Sequence, residues 1–333
     1  MSITHWPDLH GSHFQGCRTL VTGGAGFIGS HLTEALLALG ASVTVLDDLS
    51  GGDESNFDTY RAQAGDRLRF VNGSILDQAL VTQCVAGCKY VFHQAALGSV
   101  PRSVEQPRKY QEVNVTGTLN VLEAARDAKV QRIMFAASSS AYGDSEVLPK
   151  VETMPVLAKS PYAANKAACE ALMSAYAGSY GVDTASLRYF NIYGPRQNAN
   201  SAYAAVIAAF AKALFSDEHP VIFGDGLQSR DFTFVENAVH ANLLAARSEK
   251  PIKGQTINVA CGTRIDVNEL AALMAKIVGK PELTAIHKPE RAGDVKHSLA
   301  DLSRAKQVLG YSPIVGFEEG LRPTVEWYGT VMV

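Results

Sequence analysis

Charge is scarce and balanced in this 333-residue chain. Charged residues make up 19%, with 30 Lys and Arg against 33 Asp and Glu. There is no basic stripe and no interleaved aromatic run, which excludes an ordinary nucleic-acid surface, although local arginines can still serve a small anionic ligand. Cysteine is also sparse: Cys17, Cys84, Cys88, Cys169 and Cys261. Cys84 and Cys88 stand one helical turn apart without a second pair, so the expectation is reduced thiols in a cytosolic protein, with no zinc site and no other metal. No apolar run is long enough to cross a bilayer; the most apolar, 202–215, is short and carries Lys212, so no membrane partner is expected. The start, MSITHWPDLHGSHFQG, is polar and unlike a secretory signal. Its His5, His10 and His13 read as part of a flexible arm rather than a metal cluster. What remains is 47% hydrophobic, the balance of a soluble globular enzyme long enough for a sizeable core.

Apolar runs alternate with amphipathic patterns over the first two-thirds. Strands are expected at 19–21, 42–46, 69–71, 90–92, 132–136 and 184–187, and helices at 28–39, 114–128 and 162–180. That alternation predicts an α/β fold, a doubly wound parallel Rossmann-like sheet covered on both faces. After Arg188 the pattern loosens, with short helices at 267–278 and 303–309, which suggests a smaller C-terminal substrate lobe.

Two local signals carry chemistry. The run Thr22-Gly23-Gly24-Ala25-Gly26-Phe27-Ile28-Gly29 lies between the first strand and the first helix. Gly23, Gly26 and Gly29 suit a tight turn, a close pyrophosphate and helix–strand packing, and the helix N-terminus faces the phosphates. Asp47 ends the second strand about twenty residues on, where a carboxylate binds ribose hydroxyls and repels a 2′-phosphate, favouring NAD over NADP. The second signal is Tyr162 and Lys166, which share one helix face, with Ser138-Ser139-Ser140 upstream. An ammonium beside a phenol favours the phenolate and draws its pKa toward neutrality, and a Ser hydroxyl aligns the reacting oxygen.

Together these features resemble the extended short-chain dehydrogenase/reductase family, from Thr22 to about Trp327. The resemblance rests on TGGAGFIG, LDDLS, HQAAL, NVTGTLNVLEA, SSSAYG, YAANK, RYFNIYGPRQ, SRDFTFV and RAGD. It implies NAD held tightly, a nucleotide-diphosphate sugar in the cleft between lobes, and a homodimer built on helices 114–128 and 162–180. The implied NAD-binding domain is 1–188 with a return segment at about 231–261; the implied UDP-sugar domain is 189–230 and 262–333. By resemblance, Gly23, Gly26, Phe27, Ile28 and Gly29 meet the pyrophosphate, and Asp47, Asp48, Ser50, Gly51 and Gly52 the adenosine ribose and phosphate. Ser74 and Ile75 would flank adenine, with Ser74 standing where an Asp is common. Gln94, Ala95, Ala96 and Leu97 would run along the cofactor, with Asn114 and Phe190 near its nicotinamide. For the nucleotide sugar, the implied contacts are Ser99, Asn191, backbone near Ala205 and Val206, an edge strand of Val221, Ile222 and Phe223, Arg230 and Arg291 on the diphosphate, and Asp294 on the ribose or base.

Reactions on this scaffold begin with oxidation at the sugar's carbon 4. Dehydratases and decarboxylases of the family then need a carboxylate in the serine motif, where this chain has Ser139, Ser140 and Ala141. The resemblance therefore implies epimerisation: Tyr162 takes the 4-hydroxyl proton, Lys166 bonds the nicotinamide ribose, and Ser138 bonds the 4-oxygen, with Ser139 sharing this or relaying the proton. HQAALGSVPRS and GPRQNANSAYAAVI resemble bacterial UDP-N-acetylglucosamine 4-epimerases. Gly98 stands where the galactose epimerases have Lys, and Ser298 where they have a bulky Tyr, leaving room for an acetamido group. The rivals are a UDP-glucose 4-epimerase, a UDP-glucuronate decarboxylase and a non-catalytic NAD- and sugar-nucleotide-binding module.

Overall fold

The computed structural model describes residues 2–198, 206–290 and 296–332. Six strands follow one another along the first two-thirds: β1 (Arg18–Thr22), β2 (Ser42–Asp47), β3 (Leu68–Asn72), β4 (Tyr90–His93), β5 (Arg132–Ser138) and β6 (Thr184–Tyr189). The strand Gln255–Val259 returns beside β6 and completes a seven-stranded sheet, ordered Gln255–Val259, β6, β5, β4, β1, β2, β3. Every pairing in it is parallel. Successive residues of a strand face opposite layers. Val21, Val45 and Phe92 pack under the helices Phe27–Ala38 and Val235–Arg247, whereas Leu20, Leu46 and Val91 pack under Gln78–Val85, Gly117–Asp127 and Pro161–Tyr180. Both faces are therefore buried, as a parallel sheet requires.

The order reverses at β1, whose neighbours are β2 and β4. Register sets Thr22 opposite both Leu46 and His93 there. The crevice beyond the carboxyl ends of such strands is where open α/β sheets bind ligands. On the other side of β4, register pairs Ser138 at the end of β5 with Tyr189 at the end of β6.

A second core is built from the later chain. Helices Val206–Phe215, Val267–Val278 and Phe317–Met332 bury Phe210, Leu214, Leu270, Met274, Leu321 and Tyr328 together. Strands of two or three residues edge it, among them Val221–Phe223, parallel to Ile286–Lys288.

Two expectations are corrected. The N-terminal arm is attached to the body: helix Trp6–His10 docks on the helix Val235–Arg247, with Trp6, His10 and Phe14 buried. The Ile3 amide donates to Glu236 Oε1 at 2.9 Å, Arg247 donates to the Leu9 carbonyl at 3.1 Å, and His10 meets His240 at 3.1 Å. The apolar side of this segment outweighs its polar appearance because a complementary helix waits for it. The helix Ser303–Leu309, assigned with 262–333 to the sugar lobe, instead inserts Ala305, Leu309 and the following Tyr311 into the core of the large sheet.

Candidate active site

At the β1 end, Gly23 donates its N–H to the Leu46 carbonyl at 2.8 Å and adopts φ +69°. A Cβ there would meet the Ala95 amide nitrogen at 2.6 Å, and one on Gly29 would press into the Gly23 carbonyl. Only glycine closes this turn, which leaves Gly26 to cap the helix Phe27–Ala38. A cavity of about 320 Å³ opens above it, bounded by Gly23, Gly26, Phe27, Ile28, Gly29, Asp47, Asp48, Ser50, Gly51, Gly52, Ile75, Gln94, Ala95, Ala96, Leu97, Tyr162 and Lys166. The buried Asp47 carboxylate accepts from the amides of Ala25 and Leu49, both at 2.9 Å, and burial raises its pKa. A backbone-lined floor under a helix N-terminus, with an acid at the next strand end, fits a dinucleotide with unphosphorylated ribose.

Four residues expected at the cofactor, Ser74, Asn114, Phe190 and Ser138, do not line this cavity, and Ser138 lines the neighbouring one. Ser74 accepts from the Leu76 amide at 3.2 Å. Asn114 lies in a π-helical turn, Glu112–Thr116, and clasps the Leu97 backbone through both ends of its amide, at 2.8 and 3.1 Å. It thus fixes the cavity wall from behind. Phe190 faces the neighbouring cavity.

That neighbouring cavity, about 970 Å³, lies between the two cores, and Phe27, Ile28, Gly98, Ala137, Tyr162 and Tyr189 line both. Tyr162 therefore stands at the junction of the two spaces. Ser138 lines the larger cavity with it, and the Ser138 hydroxyl accepts from Ser140 Oγ at 2.9 Å. Ser139 and Ser140 line the same wall. Burial raises the Tyr162 pKa, and the Ser138 hydroxyl offsets this in part. The expected pull toward neutrality by Lys166 is absent in this state. Lys166 donates to the Ala136 carbonyl at 2.6 Å, its nitrogen is 5.9 Å from the centre of the Tyr162 ring, and burial lowers its own pKa to about 8.

Asn191, Arg230 and Ser298 border the larger cavity. Asn191, at φ +36°, donates to the Asp231 carbonyl at 3.0 Å and to Ser298 Oγ at 3.2 Å. Ser298 is half-buried. Arg230 donates to the carbonyls of Ser229 and Lys296. Other expected contacts are elsewhere. Ser99 caps the helix Val100–Glu105, Val206 opens a helix, and Val221, Ile222 and Phe223 pair with Ile286–Lys288 outside the cavity lining. Ala205, Arg291 and Asp294 lie outside the described residues. Among the described residues no cluster of His, Cys, Asp and Glu could hold a metal, and no helix is long and apolar enough to cross a membrane.

Two residues the sequence reading passed over hold the tyrosine. Buried Ser103 accepts from the Tyr162 amide at 3.1 Å, and Ser160 caps the helix by accepting from Ala163 at 3.2 Å. The Ser160-Pro161 pair carries a readable start signal, a capping hydroxyl followed by proline at the first helical position. Ser103 carries none, because its partner is 59 residues away.

Known proteins resemble this chain in sequence and fold. Residues 19–260 match the model of the NAD dependent epimerase/dehydratase family. A UDP-glucose 4-epimerase of Mycolicibacterium smegmatis is 41% identical over 93% of this chain and 98% of its own. A UDP-N-acetylglucosamine 4-epimerase from Methanobrevibacter ruminantium, solved in complex with UDP-N-acetylmuramic acid, superposes with a TM-score of 0.90 at 39% identity, covering 96% of this chain and all of that one. A Thermus thermophilus UDP-glucose 4-epimerase in complex with NAD gives 0.82 at 37% identity, covering 93% and 98%. The glycine turn, the acid at the β2 end and these likenesses agree: the chain belongs to the NAD dependent epimerase/dehydratase family, with NAD as its cofactor.

Proposed function

We propose that the protein interconverts UDP-sugars that differ in configuration at carbon 4, with UDP-N-acetylglucosamine and UDP-N-acetylgalactosamine as the preferred pair. The observation that carries this is the place of Tyr162 at the junction of the two cavities, with Ser138 lining the larger one in a serine run without a carboxylate. Bound in the cavity over the glycine turn, NAD would supply reversible hydride chemistry for carbon 4. Tyr162 takes the proton of the 4-hydroxyl and later gives it back. Ser138 holds the 4-oxygen during both transfers, with Ser140 fixing its rotamer. Lys166 supplies the positive charge that stabilises the phenolate once it leaves the Ala136 carbonyl. Elimination or decarboxylation would ask more of the site than Ser139, Ser140 and Ala141 supply. Arg230, which borders the larger cavity, would hold the diphosphate while the oxidised sugar turns over, and Asn191, with both amide hydrogens given to Asp231 and Ser298, would fix the wall beside it.

Ser298 supports the N-acetylated pair. Its hydroxyl is tied to Asn191, so the side chain stays against the wall and leaves the cavity wide. The Methanobrevibacter likeness agrees, while the Mycolicibacterium likeness favours UDP-glucose as the second reading. Unpaired cysteines suit the cytoplasm, and exposed Leu119 and Tyr180 on neighbouring helices suit a homodimer, which sedimentation would measure.

The test is to incubate the purified protein, without added NAD, with UDP-glucose, UDP-galactose and their two N-acetylated counterparts, and to resolve the products. Conversion in both directions, faster for the N-acetylated pair, is expected; no epimer from any of the four would refute the activity. A Ser298→Tyr variant should lose the N-acetylated pair selectively, and equal loss on both pairs would refute the role of Ser298.

A further inference from the structure

Behind the cofactor cavity runs a chain of hydrogen bonds in which every proton has a fixed place. Thr22 ends β1, His93 ends β4, and Thr118 stands four residues after Asn114; all four are buried. Thr118 Oγ1 is 2.5 Å from the Asn114 carbonyl oxygen, which can only accept, so the one hydroxyl hydrogen goes there. Thr118 Oγ1 also meets His93 Nε2 at 2.9 Å, and therefore accepts from it. A neutral imidazole carries one hydrogen, which leaves Nδ1 as the acceptor. Nδ1 meets Thr22 Oγ1 at 2.7 Å and takes the Thr22 hydrogen. Thr22 Oγ1 in turn accepts from the Ala95 amide at 3.3 Å. The ring is neutral because burial, and after it the nearby Lys166 ammonium, lower its pKa to about 3.

Both ends of this chain hold one wall. Segment 94–97 lines the cofactor cavity. Its Ala95 amide hangs from Thr22, and its Leu97 amide and carbonyl are held by the Asn114 side chain. Asn114 is thus a common root, bonded to Thr118 through its carbonyl and to Leu97 through its side-chain amide. Cys169, three residues after Lys166 on the same helix, donates its thiol to that carbonyl at 3.2 Å. Ala95 has no slack, since a Cβ on Gly23 would meet its nitrogen at 2.6 Å. Only one His93 tautomer closes the circuit. With the hydrogen on Nδ1, the Thr22 hydroxyl would lose its acceptor, and the Nε2 lone pair would face Thr118 Oγ1 with no hydrogen between them.

We propose that His93 is a positioning residue: held as the neutral Nε2–H tautomer between Thr22 and Thr118, it sets the backbone of 94–97 against the dinucleotide and so governs how long NAD is retained. This rests on NAD lying over the glycine turn. His93 lines neither cavity, so it acts through Thr22 and Ala95 rather than by touching the cofactor. The shared root at Asn114 and Cys169 ties the same wall to the helix that carries Tyr162 and Lys166.

Nitrogen NMR of the protein as purified, with its histidine rings isotopically labelled, reads the tautomer directly, and a His93→Gln variant assigns the resonances. A hydrogen on Nε2 and a bare Nδ1 are expected; a hydrogen on Nδ1 overturns the proposal. Thr118→Val removes the Nε2 acceptor and is expected to move the hydrogen to Nδ1, whereas Thr22→Val is expected to leave it on Nε2. An unmoved hydrogen in Thr118→Val overturns the proposal as well. Both variants are expected to exchange retained NAD for labelled NAD at least about threefold faster than the wild type, the share of one hydrogen bond. In the double variant the acceleration should fall short of the product of the two, because both act through one ring. A smaller acceleration in either single variant overturns the proposal, since a merely structural role would lower the melting temperature and leave the exchange rate alone. A wild type that holds no NAD and takes none up overturns it together with the placement of NAD over the glycine turn.

Discussion

Lys166 gives its hydrogen to the carbonyl of Ala136, 2.6 Å away inside β5, and so stands off the phenol it is positioned to serve. The contact satisfies the ammonium incompletely, and burial lowers its pKa to about 8. An unfolded chain keeps a lysine protonated to about 10.4. Between these values the unfolded state holds the extra proton, so stability climbs as pH rises through that window, and below pH 8 the full penalty is present. In NAD-free protein, Lys166→Met should therefore melt above the wild type at pH 7, and the gap should narrow between pH 8 and 10. Calorimetry at both ends checks this; a variant less stable at pH 7 contradicts it.

Tyr162→Phe removes the proton acceptor and keeps the ring. Turnover should fall by about two to four orders of magnitude, the usual worth of a placed acid–base group. Binding of UDP should change far less, since the phenol lies at the junction with the cofactor cavity. Ser138→Ala should cost about tenfold in kcat, one hydrogen bond's share. Single-turnover rates with titrated UDP separate the two effects.

Gly29→Ala tests the glycine turn. The new methyl would push into the Gly23 carbonyl, which is backbone and has no rotamer to change. Either the helix Phe27–Ala38 shifts or the turn opens, and both spoil the phosphate cradle. The variant should be purified with less than about a tenth of the wild-type NAD, a loss of roughly 1.4 kcal/mol or more in binding. Acid release and quantification of the nucleotide measures it.

What was legible in the sequence is what is encoded locally. The strand at 19–21 extends only to Arg18–Thr22, and the glycine turn sits where its spacing puts it, because alternation and conformational freedom are properties of neighbours. What failed depends on partners far along the chain. Ala136 captures Lys166 from 30 residues away, and the Trp6–His10 helix is buried by a helix more than 220 residues later. Asn114 looks like a cofactor ligand by position, yet a π turn aims its amide at Leu97, and nothing in its immediate sequence announces that turn. In the second lobe, strands of two or three residues are created by their pairing and have too few residues to show a period.

The buried pair Arg188–Glu170 ties β6 to the helix that carries Tyr162 and Lys166, through two bonds of 2.8 and 2.6 Å. The guanidinium also lies 4.6 Å from the centre of the Tyr142 ring, just after the serine run. Glu170→Ala strands a charge in the core and should cost about 3–5 kcal/mol of stability. Glu170→Gln, which keeps one acceptor, should cost less. Urea melts of the two variants give the comparison; an equal cost would assign the effect to packing.

The arm makes a last prediction. His10 and His240 meet at 3.1 Å, both buried. Burial first, then Arg247 and, for His10, His240 and His13, lowers their pKa values to about 3 and about 4. Docked, neither ring takes a proton until the pH nears 4; detached, both do so near 6.5. The detached state thus binds more protons between those values, so docking is at full strength above about pH 6.5 and weakens as pH falls through the window. Trp6, 3% exposed on the docked helix, reports it. In a Trp327→Phe background its emission should shift to the red on acidification before the sheet unfolds. Adding His10→Leu removes one titrating ring from the contact and should move that shift to lower pH. A shift of equal midpoint with and without His10 would place the acid sensitivity elsewhere.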